Sequence, residues 1–176
     1  MSRRPHRSRR KPFRIRIAGR QDVEAIARLA RELYIHERDP IEHFTADAVL
    51  RDGFGDAPQF EVLLAEIDGE AVGYALFEES YDTASASRGL YLCDLHVTGA
   101  ARRSGIGQAL VAAVARVAKA RGKSGIWWEA KAWNDAAKTF YRSLGATEEP
   151  VLAYALSDDA FETLAEAGTL SDPQGK

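Results

Sequence analysis

A short basic loop with two glycines, RRSGIG, occupies residues 102–107. An apolar run, LYLCDLHV, precedes it, and an amphipathic segment, QALVAAVARVAKA, follows it directly. This order predicts a strand, a tight loop and a helix, which leaves backbone N–H groups free at a helix N-terminus that favours anions. Arg102 and Arg103 add charge that can pair with phosphate oxygens. The sequence therefore predicts a site for a ligand that carries phosphates.

The composition predicts a globular chain with a substantial core, because 45% of its 176 residues are hydrophobic. No apolar run is long enough to span a membrane, and the N-terminus lacks the apolar segment of a secretory signal. The single cysteine, Cys93, excludes an internal disulfide and is typical of a reducing compartment. We therefore expect a cytoplasmic protein.

The charge is distributed unevenly along the chain. Residues 1–16 contain eight Arg or Lys and no acid, so the rest of the chain carries a net charge of −10. We expect residues 1–12 to form a disordered basic arm and residues 13–176 to form one domain. The arm could instead tether nucleic acid or an acidic partner, but we expect no nucleic-acid contacts elsewhere.

The apolar patterns alternate between strand and helix periods. Strands are predicted at residues 13–18, 60–67, 71–77, 90–97, 126–131 and 151–156, with a hairpin turn at Asp68-Gly69. Helices are predicted over residues 45–51 and 106–120 and after the caps Asp22, Asn134 and Ser157. Residues 52–55 are predicted to form a turn and residues 79–88 a mobile polar loop. The order of elements indicates a mixed α/β sheet.

Two common phosphate motifs do not fit the glycine loop. A dinucleotide fingerprint would need Gly or Ala at position 110, which is Leu110, and a P-loop would continue into Gly-Lys-Ser or Gly-Lys-Thr. What remains is Arg102-x-x-Gly105-x-Gly107, followed about thirty residues later by Asn134 and Tyr141.

With these residues the chain resembles the GCN5-related N-acetyltransferases, in which Arg/Gln-x-x-Gly-x-Gly/Ala holds the pyrophosphate of acetyl-CoA. The resemblance runs from about residue 14 to residue 165 and includes WNDAAKTFYRSLGA at 133–146. Within the family the chain is similar to the diamine and polyamine (spermidine/spermine-type) acetyltransferases, through DGFG at 52–55, LYLCDLHV at 90–97 and the pairs at 133–134 and 140–141. The resemblance implies a mixed, mostly antiparallel central sheet flanked by helices on both faces, and a homodimer.

The resemblance also implies where acetyl-CoA binds as co-substrate, without a metal. Leu95, His96 and Val97 would pair strand-fashion with the pantetheine arm, whose amides can extend a sheet edge as a peptide would. Asn134 and Ala137 would contact the cofactor as well. The pyrophosphate would lie in the loop formed by Arg102, Arg103, Ser104, Gly105, Ile106, Gly107 and Gln108.

Acetyl transfer to an amine requires a neutral nitrogen, a polarised carbonyl and a protonated leaving thiol. An alkylamine has a pKa of about 10, so a base or a proton path is needed at neutral pH. By resemblance, Tyr141 is the acid that protonates the CoA thiolate; the alternative is a core tyrosine. The matching polyamine enzymes have Glu-Asp where this chain has Cys93-Asp94. Asp94 could bind the substrate ammonium or relay a proton, and His96 and Glu129 are the other candidate bases.

The acceptor pocket is predicted to include residues from the end of the first helix and from two strands. Tyr34 could equally be a core residue and Glu37 a solvated one. One of Trp127 and Trp128 should pack in the core, because neighbouring residues of a strand alternate between its faces. We interpret Cys93 as a packed thiol and expect no covalent acyl-enzyme. The candidate acceptor residues are Tyr34, His36, Glu37, Cys93, Trp128 and Glu129.

The leading hypothesis is an acetyl-CoA-dependent N-acetyltransferase that acts on a primary amine of a small molecule, such as a diamine or polyamine, by direct attack. Two alternatives remain open from the residues. One is acetylation of a protein, a peptide or an aminoglycoside, because the carboxylate before Asp94 is absent. The other is a non-catalytic acyl-CoA-binding module that acts through the basic arm.

Overall fold

A computed structural model describes residues 11–40 and 42–169. Within them the chain divides into two compact units, residues 11–138 and 139–169. The predicted basic arm lies outside the described residues except for Lys11 and Pro12, and Lys11 makes a 2.8 Å ion pair with Asp68.

The first unit contains a five-stranded sheet in which the strands lie in chain order. Its strands are β1 (Arg14–Ile17), β2 (Glu61–Ile67), β3 (Glu70–Asp82), β4 (Ser87–Val97) and β5 (Gly125–Trp127). All neighbours are antiparallel except β4 and β5, which are parallel, so the mixed, mostly antiparallel sheet is confirmed. The predicted Asp68-Gly69 hairpin is also confirmed, since both residues have positive φ, 53° and 85°.

Helices cover both faces of this sheet, as expected. On one face lie α1 (Val23–Glu37) and α2 (Ala46–Phe54), and on the other lies α3 (Ile106–Ala120). The α1-side cluster joins these helices to alternate residues of β2 and β3, including Leu64, Tyr74 and Leu76. The α3-side cluster uses the intervening residues, such as Leu63, Ala75 and Phe77. The period of two along each strand thus sorts side chains between two cores.

Two predicted irregular segments are regular in the structure, so those predictions were wrong. Residues 79–88 are mostly the paired ends of β3 and β4, because backbone ladder bonds do not depend on apolar side chains. Residues 52–54 form the last turn of α2, where Phe54 packs against the α1-side cluster. Burial of that ring outweighs the roughly 1 kcal/mol cost of Gly53 inside a helix.

Two strand predictions were also wrong. β5 ends at Trp127 and not at residue 131, because it pairs with β4 only along residues 89–91. Residues 151–156, in the second unit, form no strand, and among the described residues no strand pairs with them. A segment in which apolar and polar residues alternate forms a strand only where a neighbouring strand supplies the backbone hydrogen bonds. The second unit otherwise contains the end of α4 (Asp135–Ser143) and all of α5 (Asp158–Ala167).

Candidate active site

The loop before α3 is bent by two residues in the left-handed region. Arg103 has φ 61° and Gly105 has φ 95°, and Ser104 Oγ donates a 2.6 Å hydrogen bond to the Ala101 carbonyl. The Ala109 N–H donates to the Gly105 carbonyl at 3.0 Å, which begins the helical ladder. The N–H groups of residues 106–108 precede that bond, at the end where a helix has no i−4 acceptors. The loop thus has the backbone geometry of an anion cradle.

The two arginines place positive charge beside this cradle. Arg102 Nε donates a 3.0 Å hydrogen bond to the Val97 carbonyl, which ties the guanidinium to the end of β4. Arg102 and Arg103 are both exposed. Exposed guanidinium groups can pair with phosphate oxygens, and that of Arg102 is anchored as well, so these residues fit a pyrophosphate.

The strand that leads into the loop has an open edge. A β-bulge places Cys93 as an extra residue between the pairs Leu76–Asp94 and Phe77–Leu92. Because β5 pairs with β4 only as far as Tyr91, residues 92–97 have β3 on one side and no described strand on the other. Leu95, His96 and Val97 therefore lie on an edge that an extended ligand with amide groups could join.

Asp94 lies on the same strand and is held by two tyrosines. Tyr74 donates a 2.7 Å hydrogen bond to Asp94 Oδ2, and Tyr34 donates to the same oxygen at 3.1 Å. Burial raises the pKa of Asp94, while the two hydroxyls act in the opposite direction. The sequence alone predicts no role for Tyr74. The available signal was a tyrosine in a buried strand, whose hydroxyl needs a partner.

The end of α1 brings a second carboxylate close to Asp94. Burial raises the pKa of Glu37, Asp39 and Asp94 raise it further, and Lys131 opposes them. Lys131 Nζ itself lies 2.9 Å from Asp39 Oδ1. The structure therefore brings Glu37 and Tyr34 together with Asp94, in a region rich in negative charge.

His36 and His96 take other positions. The His36 ring lies 6.0 Å from the Trp133 ring, edge to face. His96 is 4% exposed, and its Nε2 lies 3.1 Å from Glu32 Oε2. Burial lowers the pKa of His96 despite that carboxylate. Asp94 and His96 both contact α1 side chains, which confirms that they share a face, but His96 is enclosed and engaged by Glu32.

Most of the chain matches one protein family. The sequence profile of the acetyltransferase (GNAT) family matches residues 23–146. The chain is 37% identical to the thialysine N-epsilon-acetyltransferase of Bos taurus over 144 residues, which cover 76% of this chain and 84% of that protein. The chain belongs to the acetyltransferase (GNAT) family. It is an N-acetyltransferase.

Two further similarities concern the polyamine branch and the fold. The chain is 34% identical to the human spermidine/spermine N(1)-acetyltransferase-like protein 1 over 77% of its length, which is 21% of that longer protein. An aminoglycoside N-acetyltransferase solved in complex with CoA superposes with a TM-score of 0.70 at 23% identity, covering 84% of this chain and 97% of that one. At that identity the structural likeness concerns the fold alone.

Three other predicted acceptor residues of this acetyltransferase occupy different surroundings. Cys93 is exposed in the bulge, so the prediction of a packed thiol was wrong. Partial burial of the sulfur, with Glu78 and Asp94 adding to it, raises the pKa of the thiol to about 12. Trp128 packs against the α3-side cluster, on the face opposite Asp94. Glu129 is exposed and lies beyond the end of β5, not on that strand. The structure does not bring Trp128 or Glu129 together with Asp94.

The helix that carries the remaining predicted residues begins as expected. Asn134 Oδ1 accepts a 3.0 Å hydrogen bond from the Ala137 N–H and so caps α4. Tyr141 lies in the second unit, where its ring packs at 5.2 Å from the Phe140 ring. Gly145 follows the end of α4 in the left-handed conformation, with a φ of 85°. The catalytic role of Tyr141 stays a prediction.

The described part of the chain contains neither a metal-binding group nor a membrane-spanning helix. No group of three or more His, Cys, Asp or Glu side chains there could hold a metal ion. No helix in residues 11–40 and 42–169 is long and apolar enough to cross a bilayer.

Proposed function

We propose that this protein transfers the acetyl group of acetyl-CoA to a primary amine of a small molecule. One observation carries the proposal: β4 contains both a half-buried carboxylate, Asp94, and the open edge of residues 92–97 that leads into the anion-binding loop. Donor and acceptor groups would thus meet along one strand.

The donor half of the proposal rests on the loop and the edge. The N–H groups at the start of α3, with Arg102 and Arg103, would bind the pyrophosphate of acetyl-CoA. The main-chain groups of Leu95, His96 and Val97 would bind its amide-bearing arm. Asn134 and Ala137 would contact the same arm. The bound thioester supplies an activated acetyl carbonyl, and main-chain N–H groups of β4 would stabilise the oxyanion.

The acceptor half rests on the carboxylates near the end of α1. Asp94 and Glu37 would bind an ammonium group. Each is at least half-buried, and the nearby cation Lys131 pairs with Asp39 instead of with either of them. The bovine relative is named for a thialysine amine and the human one for spermidine and spermine, both small aliphatic amines. A small aliphatic amine is therefore the acceptor class that we propose, with diamines, polyamines and amino acids that carry a side-chain amine as its members.

The chemistry follows from direct attack. The bound ammonium first loses a proton, to Asp94 or through water, and the nitrogen lone pair then forms a bond to the acetyl carbon. The C–S bond breaks, and Tyr141 gives its proton to the leaving thiolate. The nitrogen, which becomes cationic on attack, releases its second proton to solvent, and solvent reprotonates Tyr141. Cys93 takes no part, because a thiol with a pKa of about 12 is protonated at neutral pH and is a poor nucleophile.

We also propose the assembly and location that the sequence suggested. Residues 13–176 would act as one domain in a cytoplasmic homodimer, with residues 1–12 as a disordered arm. Light scattering of the full chain tests the dimer. If deletion of residues 1–12 leaves nucleic-acid binding at moderate salt unchanged, the arm is not a nucleic-acid tether.

Thiol release coupled to mass spectrometry of the product tests the reaction. Purified protein, acetyl-CoA and a small aliphatic diamine should yield CoA and a product that is heavier by one acetyl group. Acetyl-CoA hydrolysis that does not respond to any amine would contradict the proposal.

A further inference from the structure

We propose that Tyr34 and Tyr74 are positioning residues that hold Asp94 as an ionised carboxylate with Oδ1 left for the acceptor amine. This inference rests on the proposed function, because it assigns a task to Asp94 in amine binding.

The geometry is the convergence of two phenols on one oxygen. The Tyr74 hydroxyl lies 2.7 Å from Asp94 Oδ2 and the Tyr34 hydroxyl lies 3.1 Å from the same atom. Among the described residues, no side chain donates a hydrogen bond to Oδ1. A phenol is neutral, so the pair orients the carboxylate without neutralising its charge. An arginine or lysine at the same place would compete with the amine.

The two tyrosines come from different elements and fix Asp94 from two sides. Tyr74 lies on β3 and is fully buried, whereas Tyr34 lies on α1 and is half-buried. Burial raises the pKa of both hydroxyls, as do the Asp94 charge and their hydrogen bonds to it. Both groups therefore stay protonated and remain donors at neutral pH.

Asp94 needs this support because its surroundings favour the neutral acid. Burial is the largest influence and raises its pKa, and the Asp39 carboxylate acts in the same direction. The other titratable groups that face it are Tyr34 and Glu37 of α1, Tyr74 of β3 and Cys93 and His96 of its own strand. Of these, the two tyrosines and His96 favour the ionised form.

The residue before Asp94 is a thiol and not a second carboxylate. Its pKa is raised, so it carries no charge at neutral pH. Asp94 is then the carboxylate of this pair that can receive a cation. Two hydroxyl donors that keep it ionised raise the fraction of protein ready to bind the amine.

The test is the pH dependence of kcat/KM for a small aliphatic amine in Tyr34→Phe and Tyr74→Phe. Each change removes one hydroxyl and keeps the ring, so the acidic limb should move to higher pH. The ratio of kcat/KM at about pH 8 to that at about pH 6 should rise by about threefold or more. A uniform loss of activity at all pH values would indicate a merely structural role and overturn the proposal.

A matched control and a double-mutant cycle sharpen this test. Tyr81→Phe removes an exposed hydroxyl from the same strand as Tyr74 and should leave the profile unchanged. In an Asp94→Asn background, Tyr74→Phe should cause little further loss, because the two residues act as a unit. Equal losses in both backgrounds would show that Tyr74 does not act through Asp94.

A measurement without turnover separates this inference from the proposed function. In protein with ¹³C-labelled aspartate, the Asp94 carboxyl should titrate at higher pH in either Phe variant than in the wild type. An unchanged titration would overturn the inference even if amines are acetylated. A shifted titration in a protein that acetylates no amine would leave the inference intact and reject the proposed function. If Tyr74→Phe fails to fold, Tyr34→Phe still allows the test, because Tyr34 is only half-buried.

Discussion

Lys131 Nζ lies 2.9 Å from Asp39 Oδ1, across 92 positions of sequence, and its charge also lowers the pKa of Glu37 at the end of α1. The pair is only partly exposed, with side-chain exposures of 40% and 35%. Lys131 thereby neutralises one carboxylate beside the proposed acceptor site and leaves Glu37 and Asp94 for the substrate.

Replacing this lysine should change the preference for acceptor charge. Lys131→Met frees Asp39, so the KM of a dicationic amine should fall up to roughly fivefold relative to that of a monocationic amine, as expected for a partly exposed ion pair. Steady-state kinetics with paired mono- and diamines at low salt measures this ratio. Lys119→Met, an exposed lysine at the end of α3, is the control. The same ratio in all three proteins would contradict a role for Lys131 in selectivity.

Removing the Tyr141 hydroxyl should slow the chemical step. We expect Tyr141→Phe to lower kcat by about 100-fold, the usual scale for loss of a general acid, with little change in affinity for acetyl-CoA. Rapid-quench kinetics and calorimetric titration with CoA measure the two quantities. Tyr154→Phe, at a position that is 89% exposed in the same unit, should behave as wild type. Full activity of Tyr141→Phe would show that Tyr141 is not the acid that protonates the leaving thiolate.

Gly105, which precedes α3, should be required because its backbone conformation favours glycine. Gly105 has φ 95°, and a Cβ there would meet no atom within 4 Å, so strain and not crowding limits substitution. Gly105→Ala should cost about 1–2 kcal/mol of stability and raise the KM for acetyl-CoA. Gly99→Ala, at an equally open position outside the positive-φ region, should change neither quantity. Chemical denaturation and donor kinetics measure both effects. Equal behaviour of the two variants would contradict this account of the loop.

A buried ion network should make the fold sensitive to acid. Arg16 pairs with Asp22 and Glu66, whose pKa values it lowers, and Arg14 adds to the effect on Glu66. Carboxylates with depressed pKa values stabilise the fold above their unfolded values, and that stability is lost as pH falls through the folded ones. The free energy of unfolding should therefore fall steadily from about pH 5 towards pH 3.

Glu66→Gln tests this network. The variant should be less stable at neutral pH and should lose less stability on acidification, since one of the linked protons is gone. Urea denaturation across the pH range gives both values. Glu70→Gln, an exposed position at the start of β3, is the control. An unchanged slope in Glu66→Gln would show that the acid sensitivity arises elsewhere.

Local patterns were enough to predict the parts of the molecule that depend on neighbours in sequence. Backbone preferences that act within a few residues determine four of these parts. They are the loop of residues 102–107, the 106–120 helix, the Asp68-Gly69 hairpin and the Asn134 cap. The face shared by Asp94 and His96 follows from the strand period, since the bulge lies before both residues.

Contacts between distant segments could not be predicted in this way. The Tyr74–Asp94 bond joins residues 20 positions apart and the Lys131–Asp39 pair joins residues 92 positions apart, so neither leaves a local pattern. Asp22 stands before α1 as predicted, yet its carboxylate binds Arg16 and the Gly19 N–H and does not cap the helix. The failed strand at residues 151–156 has the same origin, because pairing depends on a partner that the segment itself does not specify.

The acceptor profile of the full chain with acetyl-CoA tests whether the protein acetylates small aliphatic amines. Values of kcat/KM should be compared for thialysine, ornithine, spermidine, an aminoglycoside and a lysine-containing peptide, with each product identified by mass. We predict that one or more of the small aliphatic amines exceeds the peptide and the aminoglycoside, and that Asp94→Asn abolishes this advantage. Turnover confined to the peptide or to the aminoglycoside would contradict the account.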